Sequence, residues 1–304
     1  DDGTAQLWNV EPLRRLGVLD HGQQIWDVDF SADGQRIVTA SEDGTVKVWQ
    51  TSSLTLKLPP IRGHEGPVKA VSFRPQQGNQ IATGGSDGKV LLWDGETGIP
   101  ILGGEWHISP YAVNSIEFNS GGTQMIIGSA DGSSYIVDLA TGDVITLSMS
   151  PSDPVYHAVF SPDGHYAITA SEDGAIRSWE IISGKSLYQR DIDDHVIGSH
   201  QGSAYRLDFD PTGKLLVSSG QDGKIFFWDF ATSKRVGTIF AGNVLVNSVK
   251  FSPNGRLLAA GDEAGIIRIY LVESDELVQL ATWRATRGFT DAECQQYDIL
   301  IECR

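Results

Sequence analysis

RIVTASEDGTVKVW, residues 36–49, is a run rich in β-branched residues, then a polar turn, then a run that alternates β-branched with polar side chains and closes on tryptophan. This order predicts a β-hairpin whose glycine takes up the positive φ of the turn. The second half recurs along the chain as DDGTAQLW (1–8), EDGTVKVW (42–49), SDGKVLLW (86–93), ADGSSYIV (130–137), EDGAIRSW (172–179), QDGKIFFW (221–228) and DEAGIIRIY (262–270). The turn glycines are Gly3, Gly44, Gly88, Gly132, Gly174, Gly223 and Gly265, spaced 41 to 49 residues apart. A period of this length marks a repeat architecture whose unit is about four short strands.

Working outward, IWDVDF (25–30) and the tight turn SADG (31–34) precede the stretch, and LTLKL (54–58) follows it as a looser last strand. First strands recur at 68–73, 113–118, 155–160, 204–209 and 246–251, with the turns RPQQG, NSGG, SPDG, DPTG and SPNG after them. The expectation is six complete four-stranded units. Each small sheet is apolar on both faces and cannot bury both alone, so radial stacking is the stable arrangement.

The lead-in His, the Ser-Pro-Asp-Gly turn and the closing Trp-Asp together resemble the WD-repeat β-propeller family, over roughly residues 1–283. The resemblance implies an all-β, seven-bladed propeller of six complete blades and an N-terminal half blade. The blade units fall near 1–18, 25–58, 68–102, 113–148, 155–190, 204–240 and 246–283, with a tail at 284–304. It also implies a buried His–Ser/Thr–Asp–Trp chain within a blade. Three units match it throughout: His21, Thr39, Asp43, Trp49; His64, Thr83, Asp87, Trp93; and His200, Ser218, Asp222, Trp228. The unit at 155–190 keeps Thr169, Asp173 and Trp179 without the His, that at 113–148 keeps Asp131 only, and the last has Tyr270 for Trp. Those three blades are expected to be less rigid at the turn.

Composition narrows the function. Among 304 residues, 39 are acidic and 23 basic, a net charge of −16 with no Lys/Arg run, which argues against nucleic acid and for a basic partner. The two cysteines, Cys294 and Cys303, lie at the end of the chain, so no disulfide framework staples the repeats, as fits a reducing, cytoplasmic setting. No apolar run is long enough for a membrane span, and no signal peptide is visible.

Ser/Thr, His and Asp are the residue types of a hydrolytic triad. Three copies at repeat spacing, each tied to a tryptophan, suit a structural network better, and no G-x-S-x-G, P-loop, H-E-x-x-H or C-x-x-C accompanies them. The expectation is no catalysis in this region, no cofactor and no metal. An alternative rests on the first strands, which line the channel of a propeller: their fifth residues are Asp29, Ser72, Glu117, Val159, Asp208 and Lys250. Either Asp29, Glu117 and Asp208 hold a hard cation for a metal-dependent hydrolase, or they are hydrated or paired with Lys250 and Arg206. The insertion DIDDHV (191–196) likewise reads as a cation or partner site through Asp191, Asp193, Asp194 and His195, or as a solvated loop.

The family resemblance places partner binding on the channel rim, through residues just before and inside the first strand and just before the turn Asp. These are Gln24, Trp26 and Glu42; Pro67, Lys69 and Ser86; Ala112, Asn114 and Ala130; Pro154, Tyr156 and Glu172; Ser203, Tyr205 and Gln221; and Leu245, Asn247 and Glu263. Trp26, Tyr156 and Tyr205 beside acidic neighbours have the composition of anchors for a basic protein or peptide, unless each ring packs over its own blade.

At the ends, residues 4–8 and 13–18 supply only the outer half of a blade. An unpaired half blade leaves exposed edges, which natural sheets avoid, so the natural polypeptide is expected to continue upstream by two or more strands. Thr290 and Glu293 form a capping box that predicts a short helix over DAECQQYD in the tail. Arg287, Thr290, Glu293, Cys294 and Tyr297 resemble the R-x-L-T-x-x-E-C-x-x-Y tail of bacterial WD-repeat signalling proteins, with Phe289 for Leu. That resemblance implies an upstream effector such as a STAND-type NTPase, a caspase-like protease or a kinase.

Overall fold

The computed structural model describes residues 2–76, 79–148, 153–181 and 195–272. Its strands form seven small antiparallel sheets in chain order: one of two strands, five of four and one of three. The two-stranded sheet is Thr4–Asn9 and Arg14–Asp20, and the three-stranded one is Val246–Phe251, Leu257–Asp262 and Ile267–Leu271. No described residue is helical, so none belongs to a helix long and apolar enough to cross a membrane. Residues 182–194, the strand expected near 277–283 and the tail, with the helix expected there and both cysteines, lie outside the described residues.

Each hydrophobic core straddles two sheets, which is why no sheet stands alone. Val38, Ala40, Val46 and Val48 of one blade pack with Val71, Phe73, Ile81 and Trp93 of the next. The pattern repeats around the ring, with Ala82 and Val90 against Val113 and Ile127, and Ile168 and Ile176 against Leu207 and Trp228. Inner and middle strands supply these residues, while outer strands pack on one face only. The turn glycines sit where the blades meet. Gly88 has φ 74°, and a Cβ there would collide with the carbonyl oxygen of Ser109 in the strand connection beside it.

One expected strand differs in position. Instead of a single run at 54–58, the outer strand pairs in two pieces: Leu56 bridges Trp49, and Ile61–Arg62 pairs with Thr45 and Val46. Pro59 and Pro60 separate the pieces, because proline has no N–H to give the ladder.

Candidate functional site

A β-bulge falls at the same place in all six inner strands. In the first, Ile25 faces Ser41 and Asp27 faces Ala40, so Trp26 is the extra residue with no partner across the ladder. The same shift frees Lys69, Asn114, Tyr156, Tyr205 and Asn247. A bulge re-aims a side chain without disturbing the sheet beyond it. These six are the second residues of the inner strands that sequence reading put on the rim. A recurring backbone bond fixes their neighbours: Glu42 N–H donates to Gln24, Ser86 to Pro67, Ala130 to Ala112, Glu172 to Pro154, Gln221 to Ser203 and Glu263 to Leu245, at 2.8–3.1 Å. Each predicted trio is thus one structural unit.

The aromatic residues do not pack over their own blades alone. Tyr156 and Tyr205, from adjacent blades, meet with ring centroids 5.3 Å apart and planes tilted by 50°. Burial and the neighbouring Glu172 carboxylate raise the Tyr156 hydroxyl above the usual phenol range, so it stays a donor at neutral pH. Trp26 donates its indole N–H to Glu42 at 2.6 Å, and the Lys69 ammonium of the next blade lies 5.1 Å from its ring centroid. Two rim residues have internal duties: Asn114 donates its amide to the Val155 carbonyl, and Gln221 accepts from the Ser203 N–H. The rim thus offers two aromatic–carboxylate patches, Trp26 with Glu42 and Tyr156–Tyr205 with Glu172.

Below the rim, the channel carboxylates have other work. In four of the six first strands, N–H groups on the inner edge are met by side chains of the preceding blade. Asp27 accepts from Val71 and Asp29 from Phe73; Ser115 accepts from Ala158, His157 from Leu207 and Asp208 from Phe251. The register is constant: a third residue reaches the fourth N–H of the next blade, and a fifth reaches the sixth. Ion pairs then link distant blades, Arg206 to Asp27 at 3.1 Å and Lys250 to Glu117 at 3.6 Å, with Lys250 also 2.9 Å from Asp208. Burial raises Glu117 and Asp208 and pushes Asp29 up to about 7, while Glu117 and Asp208 hold Lys250 in its charged form. Among the described residues no three of His, Cys, Asp and Glu are grouped to hold a metal ion. Glu117 and Asp208 thus pair with Lys250, while Arg206 pairs with Asp27 and Asp29 accepts from the Phe30 and Phe73 N–H groups; backbone partners in the next blade are not readable from the sequence.

The three tetrads form, in two arrangements. His64 places Nδ1 3.0 Å from Asp87 and Nε2 2.8 Å from Thr83, and Trp93 donates to Thr83 at 2.8 Å. His200, Asp222, Ser218 and Trp228 repeat this. At His21 the ring is turned over: Nδ1 meets Thr39, and Nε2 meets Thr45, which in turn donates to Asp43. Thr45 is where the other two blades carry Lys89 and Lys224, so a hydroxyl is inserted into the relay. Each of these side chains is committed within its blade, which is the geometry of a structural network rather than of an exposed nucleophile.

The three blades without a full tetrad have substitute contacts. Tyr135 donates to Asp131 at 2.6 Å, Arg177 pairs with Asp173, and Arg268 pairs with Asp262. All three donors occupy the third place after the turn glycine, a signal available in the sequence. The looser turns were expected because tetrad members are missing; these contacts give each of the three turns an Asp with a partner of another kind. In the last blade Ala264 holds the usual Asp place and Asp262, two residues earlier, takes the charge.

Five stretches, 13–50, 55–94, 143–180, 194–229 and 233–270, match the family described as WD domain, G-beta repeat. Among similar proteins, a guanine nucleotide-binding protein subunit beta of Zea mays is 28% identical over 206 residues, covering 63% of this chain and 54% of its own. A transcriptional corepressor, LEUNIG_HOMOLOG, of Arabidopsis thaliana is 24% identical over 191 residues, 62% of this chain and 23% of its own. The apoptotic protease-activating factor 1 of Danio rerio is 26% identical over 190 residues, 60% of this chain and 14% of its own. The match spans about half or less of each relative.

Proposed function

Because the chain belongs to the WD-repeat family, we propose that it is a non-catalytic protein-interaction scaffold that grips a basic protein or peptide segment on its bulged rim. The supporting observation is the run of six bulges that present Trp26, Tyr156 and Tyr205 beside Glu42 and Glu172 on rigid strands. Aromatic anchors next to carboxylates suit a lysine or arginine side chain, by ring contact and by charge. The net charge of −16 adds long-range attraction for such a partner.

In the same reading the propeller is one module of a signalling protein and positions an effector carried by the same polypeptide. The relatives support this, since the matched repeats occupy only 23% of the corepressor and 14% of the apoptotic factor.

The test is a triple variant, Trp26→Ala, Tyr156→Ala and Tyr205→Ala, measured against arginine- and lysine-rich peptides that the wild type binds. Loss of about tenfold or more in affinity is expected, as for removal of interface anchors worth over about 1.4 kcal/mol together. Equal affinity with an unchanged circular dichroism spectrum would overturn the assignment.

A further inference from the structure

Two rim anchors are tied to each other through the channel. Trp26 is followed by Asp27 in the strand Ile25–Phe30, and Tyr205 by Arg206 in the strand Ala204–Phe209. The Arg206 guanidinium donates from Nη2 to Asp27 Oδ1 at 3.1 Å. Three inner strands, Val68–Phe73, Val113–Phe118 and Val155–Phe160, come between these two in chain order, so the pair is a strut across the channel and not a contact between neighbours. The strut is fixed at its short end, because Asp27 Oδ2 accepts from the Val71 N–H of the next blade at 3.0 Å. Two residues deeper, Lys250 joins Glu117 to Asp208 and braces other blades in the same manner.

The strut sets a length. By summed bond lengths an arginine Nη reaches about 7 Å from its Cα and an aspartate Oδ about 3.6 Å, which puts the Cα atoms of Asp27 and Arg206 at most about 14 Å apart. Trp26 and Tyr205 each lie one Cα step of about 3.8 Å away, so their Cα atoms are at most about 21 Å apart. An extended peptide advances about 3.4 Å per residue and spans such a gap in about four to six steps.

Both ends of that span have the same chemistry. Trp26 donates its indole N–H to Glu42 at 2.6 Å, and the Lys69 ammonium stands 5.1 Å from its ring centroid, an internal example of the group this ring accepts. At the far end Tyr205 meets Tyr156 at 5.3 Å, with the Glu172 carboxylate beside the Tyr156 hydroxyl. An aromatic face with a carboxylate at its edge suits a cation at each seat.

We propose that the rim binds a single extended peptide segment with two basic side chains about four to six positions apart, one seated at Trp26–Glu42 and the other at Tyr156–Tyr205–Glu172. The Arg206–Asp27 strut holds the two seats at that spacing, which makes Arg206 a positioning residue. This rests on the rim reading proposed above and adds to it the valency and length of the ligand. Once one cation is seated, the second binds intramolecularly, and that gain vanishes when the intervening chain cannot span the gap.

The probes are Gly/Ser peptides of equal length: one with two arginines five positions apart, one with the two arginines adjacent, and one with a single arginine. Affinities are measured by calorimetry. The wild type is expected to bind the spaced peptide about tenfold or more tighter than its adjacent isomer, although the two carry equal charge. Trp26→Ala or Tyr205→Ala should bring the spaced peptide down to the level of the single-arginine one. Arg206→Met should shrink the preference between isomers to about threefold or less and leave the single-arginine affinity unchanged. Equal affinity of the wild type for the two isomers overturns the proposal, and this comparison needs no variant to fold. The rim reading survives that result if single-arginine binding still falls in the Trp26 or Tyr205 variant, and falls with it if neither variant affects any peptide. An isomer preference as large in Arg206→Met as in the wild type also overturns the proposal, since the spacing would then be set without the strut.

Discussion

Replacing Thr83 by valine keeps the side-chain shape and removes the hydroxyl at the centre of the best-formed tetrad. In the best-fitting set of roles His64 donates from Nδ1 to Asp87, Thr83 donates to Nε2 at 2.8 Å rather than to the Leu91 carbonyl at 3.4 Å, and the Trp93 indole donates to Thr83. Thr83 is fully buried. The variant therefore strands one donor, the indole N–H, and one acceptor, Nε2, in the interior of the blade. A buried group left unsatisfied costs about 1–3 kcal/mol, so T83V, with two such groups, should lose about 2–6 kcal/mol. Urea unfolding followed by tryptophan fluorescence reads this as a lower midpoint at unchanged slope. Ser134→Ala is the internal comparison, because the Ser134 hydroxyl is buried with no partner and its removal should be neutral or stabilising. Loss of less than about 0.5 kcal/mol in T83V, or equal losses in both variants, would refute the claim that the relay holds the blade together.

Two further outcomes follow from the geometry. Gly88→Ala should cost well over about 1 kcal/mol by the same assay, since it adds a collision with Ser109 to the strain of a positive φ. Stability should also fall with acid over a defined window. Burial lowers His21 to about 4, and His157 and His200 shift the same way. Below the ordinary histidine value near 6.5 the unfolded chain takes up protons that the folded one refuses, so stability is complete above about 6.5 and declines as pH falls to about 4. The His21 share is at most about 3 kcal/mol, and H21N should flatten that slope in denaturation curves from pH 7 to pH 4. Asp29, raised to about 7, acts in the opposite sense, costing stability as pH rises from about 4 to 7, so the His21 comparison is best made in an Asp29→Asn background.

The architecture was legible because the turn glycines and closing aromatics repeat at one period, and backbone conformation leaves few residues able to serve there. The rim trios were legible for the same reason, being fixed offsets from those turns. The bulges were not, because register depends on the partner strand and alternation along one strand does not reveal an extra residue. The break in the outer strand was foreseeable from Pro59 and Pro60, whereas LTLKL showed only its alternation. Arg206 and Asp27 meet across the channel at a separation of 179 residues, which no local pattern encodes. The roles of Tyr135, Arg177 and Arg268 stood in the sequence at one fixed offset, but a tyrosine and two arginines there answer the loss of a histidine with other residue types. A search for identical residues passes over them.

A bulge residue answers to no partner across the ladder, while the residues on either side of it keep the strands in step. In the proposed reading, recognition and folding are thus governed by different positions in this chain. At Trp26, Lys69, Tyr156, Tyr205 and Asn247 a change of identity leaves the strand ladder intact, provided the bulge itself is kept, and forfeits only contacts along the rim such as Tyr156–Tyr205 and Lys69–Trp26. Two propellers of similar overall sequence can accordingly differ completely in what they hold, and two dissimilar ones can agree. Kinship of partners between such proteins should be judged by comparing the bulge residues, blade by blade, before any whole-chain identity is consulted.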